Sequence, residues 1–187
     1  MRVRSIIALV FLVCQCADNA RAQSAALSQN DVAAIASEKF GNLSIVDAQL
    51  PNRSLAWAAW DTGPGAQRKV HLALLTRKKT PTRVLWSRSW DESFQPAVTV
   101  LPGWQYDRNP MLALTFQQGA AAESLLIFGI NNEGLPVAVA QRDAAVVELR
   151  SVGRGEFIIM NGSGSSPARE CLVWNEGERQ IASTACN

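Results

Sequence analysis

The sequence has few of the residues that build metal and catalytic centres. It contains one histidine, His71, and four cysteines among 187 residues. Cys14 and Cys16 belong to the N-terminal segment discussed below, which leaves two cysteines and one distant histidine, too few ligands for a zinc site. We therefore expect no metal and no other cofactor.

A long apolar run is also missing. Ile6–Val13, the apolar core of the N-terminal segment, is far shorter than the roughly 18 residues that cross a bilayer. Arg2 and Arg4 precede it, and Ala20-Arg21-Ala22 follows with the small-x-small pattern that signal peptidase reads. We predict a signal peptide over residues 1–22, no transmembrane segment, and a secreted or periplasmic protein.

Cys14 and Cys16 leave a lipoprotein as an alternative, because a lipidated cysteine also follows an apolar core. The residue immediately before each cysteine is Val13 or Gln15, whereas such sites usually have a small residue there. We therefore favour cleavage before Gln23.

The chain also lacks a large excess of positive or negative charge. The whole chain has a formal charge of +2, and residues 1–22 carry three arginines against one aspartate, so the remaining 165 residues are close to neutral. Nucleic acid and anionic membranes attract proteins with a basic surface, and we expect neither as the main partner. The length fits one domain, residues 23–187, that is large enough to bury a core.

Cys171 and Cys186 are the two cysteines outside the N-terminal segment. In an oxidising compartment, two thiols of one small domain most often pair. The resulting loop of about 15 residues would stabilise the fold by roughly 3 kcal/mol in the chain-entropy description. We predict a disulfide that fixes the C-terminus.

The apolar pattern predicts a mainly β fold, an antiparallel hairpin array preceded by one N-terminal α-helix. Short strand-like runs are bounded by Gly, Pro, Asn or Asp, and no helical crossover separates them. The predicted strands are 55–61, 69–77, 83–91, 97–101, 111–117, 124–130, 137–141, 146–151, 156–160 and 171–174. The helix is predicted over residues 28–40, with Ser28 and Asp31 as a capping box and Gly41 as its C-cap.

Three of the predicted hairpins form a loose internal repeat. They join residues 55–60 to 70–75, 112–116 to 125–130, and 157–160 to 171–174. Around the third hairpin, Val152–Ile159 has the sequence Val-Gly-Arg-Gly-Glu-Phe-Ile-Ile, which resembles the segment that enters a blade in FG-GAP or VCBS-type β-propellers. The resemblance covers residues 110–180.

This resemblance implies propeller-like blades without the calcium site of those families. They usually carry an aspartate-rich loop, whereas Arg154 lies here between Gly153 and Gly155 and no aspartate is near. About three blades would form, and a closed propeller needs at least four. The implied architecture is therefore a twisted sheet, a sandwich, a partial propeller, or a ring closed by oligomerisation.

His71 is the obvious candidate for a general base, but its strand argues against that role. His71 and Lys69 lie on one face of the predicted strand, and Val70 and Leu72 lie on the other face. We therefore expect a surface imidazole. The serine-rich segment Gly162–Ser166 lacks the strand-turn-helix elbow of a serine hydrolase and predicts a loop. We assign no catalytic residue, although Glu148 and Glu156 leave open a small extracytoplasmic hydrolase that uses carboxylates.

The tryptophans suggest a contact surface. Trp57 and Trp60 are predicted on opposite faces of one strand, and Trp86 and Trp90 on one face of another. Aromatic residues beside basic ones are typical of interfaces, although core packing is the alternative for each tryptophan and edge protection is the alternative for the basic residues. The candidate binding residues are Trp57, Trp60, Trp86, Trp90, Arg77, Lys78 and Lys79. Our hypothesis is a secreted non-catalytic binding or accessory domain whose partner is a protein or an envelope glycan.

Overall fold

The computed structural model describes residues 27–36, 39–51, 53–77, 81–119, 122–152, 155–162 and 169–186. The predicted signal peptide, Lys78, Lys79, Arg154 and most of the predicted Gly162–Ser166 loop lie outside this part of the chain. Within it, the chain forms one α-helix, one 3-10 turn and twelve strands.

The elements follow one another with short connections. Helix α1 is Gln29–Ala33, and the 3-10 turn is Gly65–Gln67. The strands are β1 Phe40–Asp47, β2 Leu55–Thr62, β3 Lys69–Thr76, β4 Val84–Asp91, β5 Ser93–Tyr106, β6 Asn109–Gln118, β7 Ala122–Ile130, β8 Pro136–Ala144, β9 Val146–Val152, β10 Gly155–Asn161, β11 Arg169–Asn175 and β12 Gln180–Thr184.

These strands form three antiparallel sheets, each a meander of four consecutive strands. The first sheet contains β1–β4, the second β5–β8 and the third β9–β12. The predicted mainly β, antiparallel fold with one N-terminal helix is confirmed, and the described strands do not close into a barrel. The three repeated hairpins are β2–β3, β6–β7 and β10–β11, the central pair of each sheet.

The second sheet lies between the other two and is buried on both faces. One face carries Leu114 and Phe128, which pack with Trp57 of the first sheet. The other face carries Met111 and Ile127, which pack with the third sheet. Burial on both faces explains why β6 and β7 are continuous apolar runs without a polar alternation.

The helix covers part of the outer face of the first sheet. Ser28 caps it and forms the predicted capping box with Asp31, and Val32 is fully buried against that face. The predicted range of the helix was too long, because it ends at Ala33 and Phe40 already begins β1. Gly41 lies in that strand and is not a C-cap. Among the described residues, no helix has the length and apolar character needed to span a membrane.

Two strands were missed, β1 and β12, and β5 is longer than the predicted 97–101. Pro96 and Pro102 flank the predicted range 97–101. Both lie at irregularities of the β5–β6 pairing, between Phe94 and Ala97 and between Leu101 and Gln105. A proline is tolerated at a bulge, where no ladder hydrogen bond is lost, so the strand continues through both.

The predicted disulfide between Cys171 and Cys186 is present. Cys171 lies opposite Ile159 in the β10–β11 pairing, and both are at most 4% exposed. Neither belongs to the core between the second and third sheets, so they mark the outer face of the third sheet. The disulfide therefore ties the C-terminal segment to that face.

Candidate binding groove

The four predicted tryptophans do not form one surface. Trp57 is 1% exposed and lies in the core between the first and second sheets, with its ring 6.1 Å from that of Trp86. Trp86 and Trp90 are half-buried against the same core, which confirms that they share a face. Trp60 is on the opposite face of β2, as predicted from its odd spacing to Trp57.

Of the three basic residues predicted for the contact surface, Arg77 lies in the described part of the chain. Its side chain is 11% exposed and forms an ion pair with Asp47 of β1, and its backbone N–H donates to the Ser54 carbonyl. His71, the cross-strand partner of Trp60, is six residues away along the chain, which is about 20 Å in a strand. The structure therefore separates Arg77 from Trp60, while Lys78 and Lys79 lie outside the described residues.

The outer face of the first sheet is organised in rows, because paired residues of neighbouring antiparallel strands share a face. Four rows cross β2, β3 and β4 in order. They are Thr62–Lys69–Asp91, Trp60–His71–Ser89, Ala58–Ala73–Ser87 and Ala56–Leu75–Val84. The face thus changes from charged at one end to apolar at the other, with small residues between.

The small residues create a groove of about 540 Å³. Ala73 and Ser87 of the sheet line it, together with Ile35 and Ala36 from the segment that follows helix α1. The residues that line it are Ile35, Ala36, Trp60, Thr62, Lys69, His71, Ala73, Val84, Ser87, Arg88 and Ser89. Among these described lining residues Lys69 brings charge to this face, whereas Arg88 pairs with Leu72 and its guanidinium lies 5.4 Å from the Trp90 ring, on the other face of β4. The groove therefore has a polar and an apolar end.

His71 is held firmly in the polar half of the groove. Its ring stacks on Trp60 with centroids 5.3 Å apart and planes 14° apart, and its Nε2 lies 2.9 Å from Thr62 Oγ1. The imidazole is half-buried and lies on the same face as Lys69. Its partial burial comes from the cross-strand pair with Trp60, a register that the residue alternation could not show.

Lys69 marks the charged end. Its ammonium is 2.9 Å from the Asp91 carboxylate, and the two side chains are 51% and 77% exposed. An exposed ion pair of this kind contributes little to stability because water and salt screen it. Both groups therefore stay in reach of solvent at the mouth of the groove.

Exposed apolar side chains lie at the start of β4, where the groove has its apolar end. Val84 and Leu85 are 41% and 48% exposed. Val84 pairs with Leu75 and Trp86 with Leu74, so Leu85 is the extra residue of a bulge at the start of β4. The bulge turns an apolar side chain toward solvent next to the groove.

A buried carboxylate fixes the sheet behind the charged end. Asp61 is 7% exposed and accepts hydrogen bonds from the backbone and side-chain nitrogens of Asn42, at 2.8 and 2.9 Å, and from the Gln95 N–H at 2.9 Å. These bonds join β1, β2 and β5, and so the first sheet to the second. Gly41 makes room for them, since a Cβ there would lie 2.5 Å from Asp61 Oδ1.

The cap of helix α1 fixes the adjoining wall. The backbone N–H and the hydroxyl of Ser28 donate to the Asp31 carboxylate, and these bonds lower the pKa of Asp31 below its ordinary 3.8. Thr82 Oγ1 also lies 3.4 Å from Asp31 Oδ1, which links the helix to the segment before β4.

The predicted carboxylate pair does not form a neighbouring pair in the third sheet. Glu148 lies opposite Ile159, and Glu156 lies opposite Ser151, three positions along the ladder. The Glu148 carboxylate binds Arg150 at 2.7 Å. Within the described residues, no group of three or more His, Cys, Asp or Glu side chains is placed to hold a metal ion.

Comparisons with protein-family models, with curated proteins and with solved structures found no match to this chain. The resemblance of residues 110–180 to propeller blades therefore stays a prediction. The groove carries the assignment of function instead, and several of its residues were not candidates from the sequence: Thr62, Ala73, Val84, Ser87 and Ser89. Their residue types are ordinary, and only the register of three strands brings them together.

Proposed function

We propose that this protein is a secreted or periplasmic, non-catalytic binding domain that recognises another protein through the groove on the outer face of the first sheet. The observation that carries the proposal is a hollow with polar side chains at one end and the exposed Val84 at the other, followed in the chain by the exposed Leu85. Exposed apolar side chains grouped beside a concave surface are typical of interaction sites.

Export is supported by the disulfide and by the sequence of residues 1–22. A disulfide between Cys171 and Cys186 persists in an oxidising compartment and is rare in the cytosol. The predicted signal peptide would deliver the chain to such a compartment. N-terminal sequencing of the exported protein should find Gln23 first, and an uncleaved chain recovered from the cytosol would contradict this part of the proposal.

A protein partner fits the groove better than a neutral glycan. Sugar rings are commonly bound on an aromatic face that is open to solvent. Trp60 is 6% exposed and is stacked on His71, and Trp57 is in the core. The groove instead offers small, apolar and polar side chains beside β4, the edge strand of the first sheet, and extended peptides commonly dock at such edges.

Selection of peptides tests the proposal directly. A phage-displayed library of linear peptides is panned on the immobilised protein, and enriched peptides are measured by calorimetry on matched variants. Val84→Asp should weaken binding at least tenfold. Val146→Asp, which changes a residue of the third sheet that is 48% exposed, should change it less than twofold. Equal affinity of both variants, or no enriched peptide that responds to Val84→Asp, would contradict the assignment of the groove.

A further inference from the structure

A second hollow, of about 220 Å³, lies where three connections meet at one end of the first two sheets. The β1–β2 connection contributes Arg53, the β5–β6 turn contributes Arg108, and the β7–β8 turn contributes Asn131 and Asn132. We call it the turn hollow. The described residues that line it and those that line the groove of the first sheet have no member in common, so it is a separate candidate site.

The hydrogen-bond acceptors around the turn hollow are largely occupied within the protein. The Glu133 carbonyl accepts from Arg53 Nη1 at 3.2 Å. The Ile130 carbonyl accepts from Asn109 Nδ2 at 2.9 Å. The side-chain oxygen of Asn131 accepts from the Glu133 N–H at 3.1 Å and from a second backbone N–H at 2.9 Å. A ligand in the turn hollow therefore meets few acceptors.

Donors, by contrast, remain for a ligand. Arg53 uses one N–H of its guanidinium for a backbone carbonyl and keeps the others. In the described part of the chain no ion pair engages Arg108, because the neighbouring Asp107 carboxylate binds Arg179 at 2.6 Å instead. Since the side-chain oxygen of Asn131 is taken, its Nδ2 is the group left to donate. This excess of donors suits a ligand group that only accepts hydrogen bonds.

Two backbone features place the arginines. A Cβ at Gly134 would overlap the Arg53 guanidinium, so the glycine leaves the space that this group occupies. Arg108 has a φ of 66° in the two-residue β5–β6 turn, a left-handed position where glycine or asparagine is favoured. Side-chain-bearing residues in such conformations cluster at ligand sites, where the side chain is needed for contact.

We propose that the turn hollow binds a phosphate group, held by Arg53 and Arg108. A phosphate accepts hydrogen bonds on oxygens that point in several directions, so it can meet two guanidinium groups from different turns. The two oxygens of a carboxylate lie in one plane and suit a single guanidinium fork. The same contacts serve the phosphate of a small soluble molecule and that of a lipid headgroup. The inference goes beyond the proposed function, since the groove has no part in it.

The test is an NMR titration of the 15N-labelled protein with inorganic phosphate, with sodium chloride keeping the ionic strength constant. Phosphate should shift the amides of Arg108, Asn109 and Gly134 to saturation. Arg108→Gly removes a guanidinium and suits the left-handed turn, so this variant should stay folded and bind phosphate at least fivefold more weakly. Arg142→Gln is the matched control, because Arg142 is also exposed and donates to a backbone carbonyl, that of Gln141, at 2.8 Å. Its phosphate affinity should change less than twofold.

Shifts that do not saturate would indicate an adventitious ion only and overturn the proposal, as would equal phosphate affinity in the wild type and R108G. An equal loss in R108G and R142Q would overturn it as well, because general attraction by surface charge would then explain the binding. Sedimentation with phosphatidylcholine vesicles, with and without phosphatidic acid, identifies the source of the phosphate. Vesicle binding that needs phosphatidic acid and is lost in R108G assigns a lipid headgroup, and phosphate binding without vesicle binding assigns a soluble molecule.

Discussion

The first and third sheets both end the stack of three, and their outer faces differ in what covers them. On the third sheet, Ile159 and Cys171 are nearly inaccessible, and a disulfide ties Cys186 to that face. On the first sheet, the short helix α1 covers only part of the surface and leaves a groove over β3 and β4. The same four-stranded unit thus ends once in a face to which the disulfide ties the C-terminal segment and once in a face that a helix covers in part, next to a groove.

This difference indicates which outer face of the three-sheet stack can hold a binding site. Both outer faces begin from the same problem, an exposed sheet surface that must be covered or made polar. The third sheet solves it partly with the disulfide-linked C-terminal segment and leaves Val146 exposed. The first sheet solves it partly with a helix and partly with Lys69, Thr62 and other polar side chains, and it leaves Val84 and Leu85 exposed.

The largest expected effect is a loss of stability when the disulfide on the third sheet is removed. Replacing Cys171 and Cys186 together by serine should lower the free energy of unfolding by about 3 kcal/mol, because the unfolded chain regains the freedom of a loop of about 15 residues. Urea unfolding measures this. Peptide affinity of the folded fraction should be unchanged, and lost affinity with unchanged stability would reverse the roles given to the two faces.

The junction between the first two sheets should be the next most sensitive position. Gly41→Ala places a methyl group 2.5 Å from Asp61 Oδ1 and disturbs the carboxylate that accepts from Asn42 and Gln95. We expect a loss of about 1–3 kcal/mol, as for overpacking in a core. Gly177→Ala is the matched control, since its nearest neighbour would be Asn175 Oδ1 at 3.5 Å, and it should stay within about 0.5 kcal/mol of the wild type.

A change inside the groove should affect binding more than folding. His71→Ala removes the stack on Trp60 and the hydrogen bond with Thr62. The free energy of unfolding should fall by about 1 kcal/mol, the size of one aromatic pair or one hydrogen bond. Thermal unfolding and a peptide titration measure the two effects on one sample. A variant that binds the peptide with wild-type affinity would remove His71 from the site.

A turn remote from the groove should respond in the opposite direction. Asp107 and Arg108 both have positive φ in the tight β5–β6 turn. Arg108→Gly relieves a left-handed conformation that costs a side-chain-bearing residue about 1 kcal/mol, and a stabilisation of about 0.5–1 kcal/mol is expected. Asp107 is left in place because it binds Arg179 at 2.6 Å. Any change in peptide affinity would argue that the groove is not a local site.

The smallest effect concerns the wall of the groove. The pKa of Asp31 is lowered in the folded protein, so its contribution to stability is present above its ordinary pKa of 3.8 and is lost as the pH falls through the folded value. Ser28→Ala removes the hydroxyl that donates to Asp31. NMR titration should find the pKa of Asp31 raised, and the stability difference from the wild type should shrink below about pH 4. A pKa that does not move would show that the hydroxyl has no part in the cap.

Much of the fold could be predicted from the sequence, because the central hairpins consist of apolar runs bounded by turn residues. The disulfide was predicted because two cysteines of one small domain usually pair in an oxidising compartment. The opposite faces of Trp57 and Trp60 were predicted because side chains alternate along a strand. The edge strands β1 and β12 were missed, since they are less apolar and their partners stabilise them. Helix α1 was predicted too long, because Phe40 continues a helical spacing while its strand pairing with Thr62 decides its conformation.

The groove could not be predicted, because it depends on the register between three strands. Trp60, His71 and Ser89 come from three strands and are ordinary residues in each of them. Their meeting depends on how two turns set the alignment of β2, β3 and β4, which a single sequence does not show. The tryptophans were the sequence feature that suggested a contact surface. Trp57, however, is buried in the core.

The most direct measurement of groove binding is the affinity of one peptide, selected by panning on the protein, for two variants with matched changes. The open outer face of the first sheet is tested by Val84→Asp and the third sheet by Val146→Asp. We predict at least tenfold weaker binding for the first variant and less than a twofold change for the second, with both variants folded by circular dichroism. Equal affinities, or a larger loss for Val146→Asp, would contradict it.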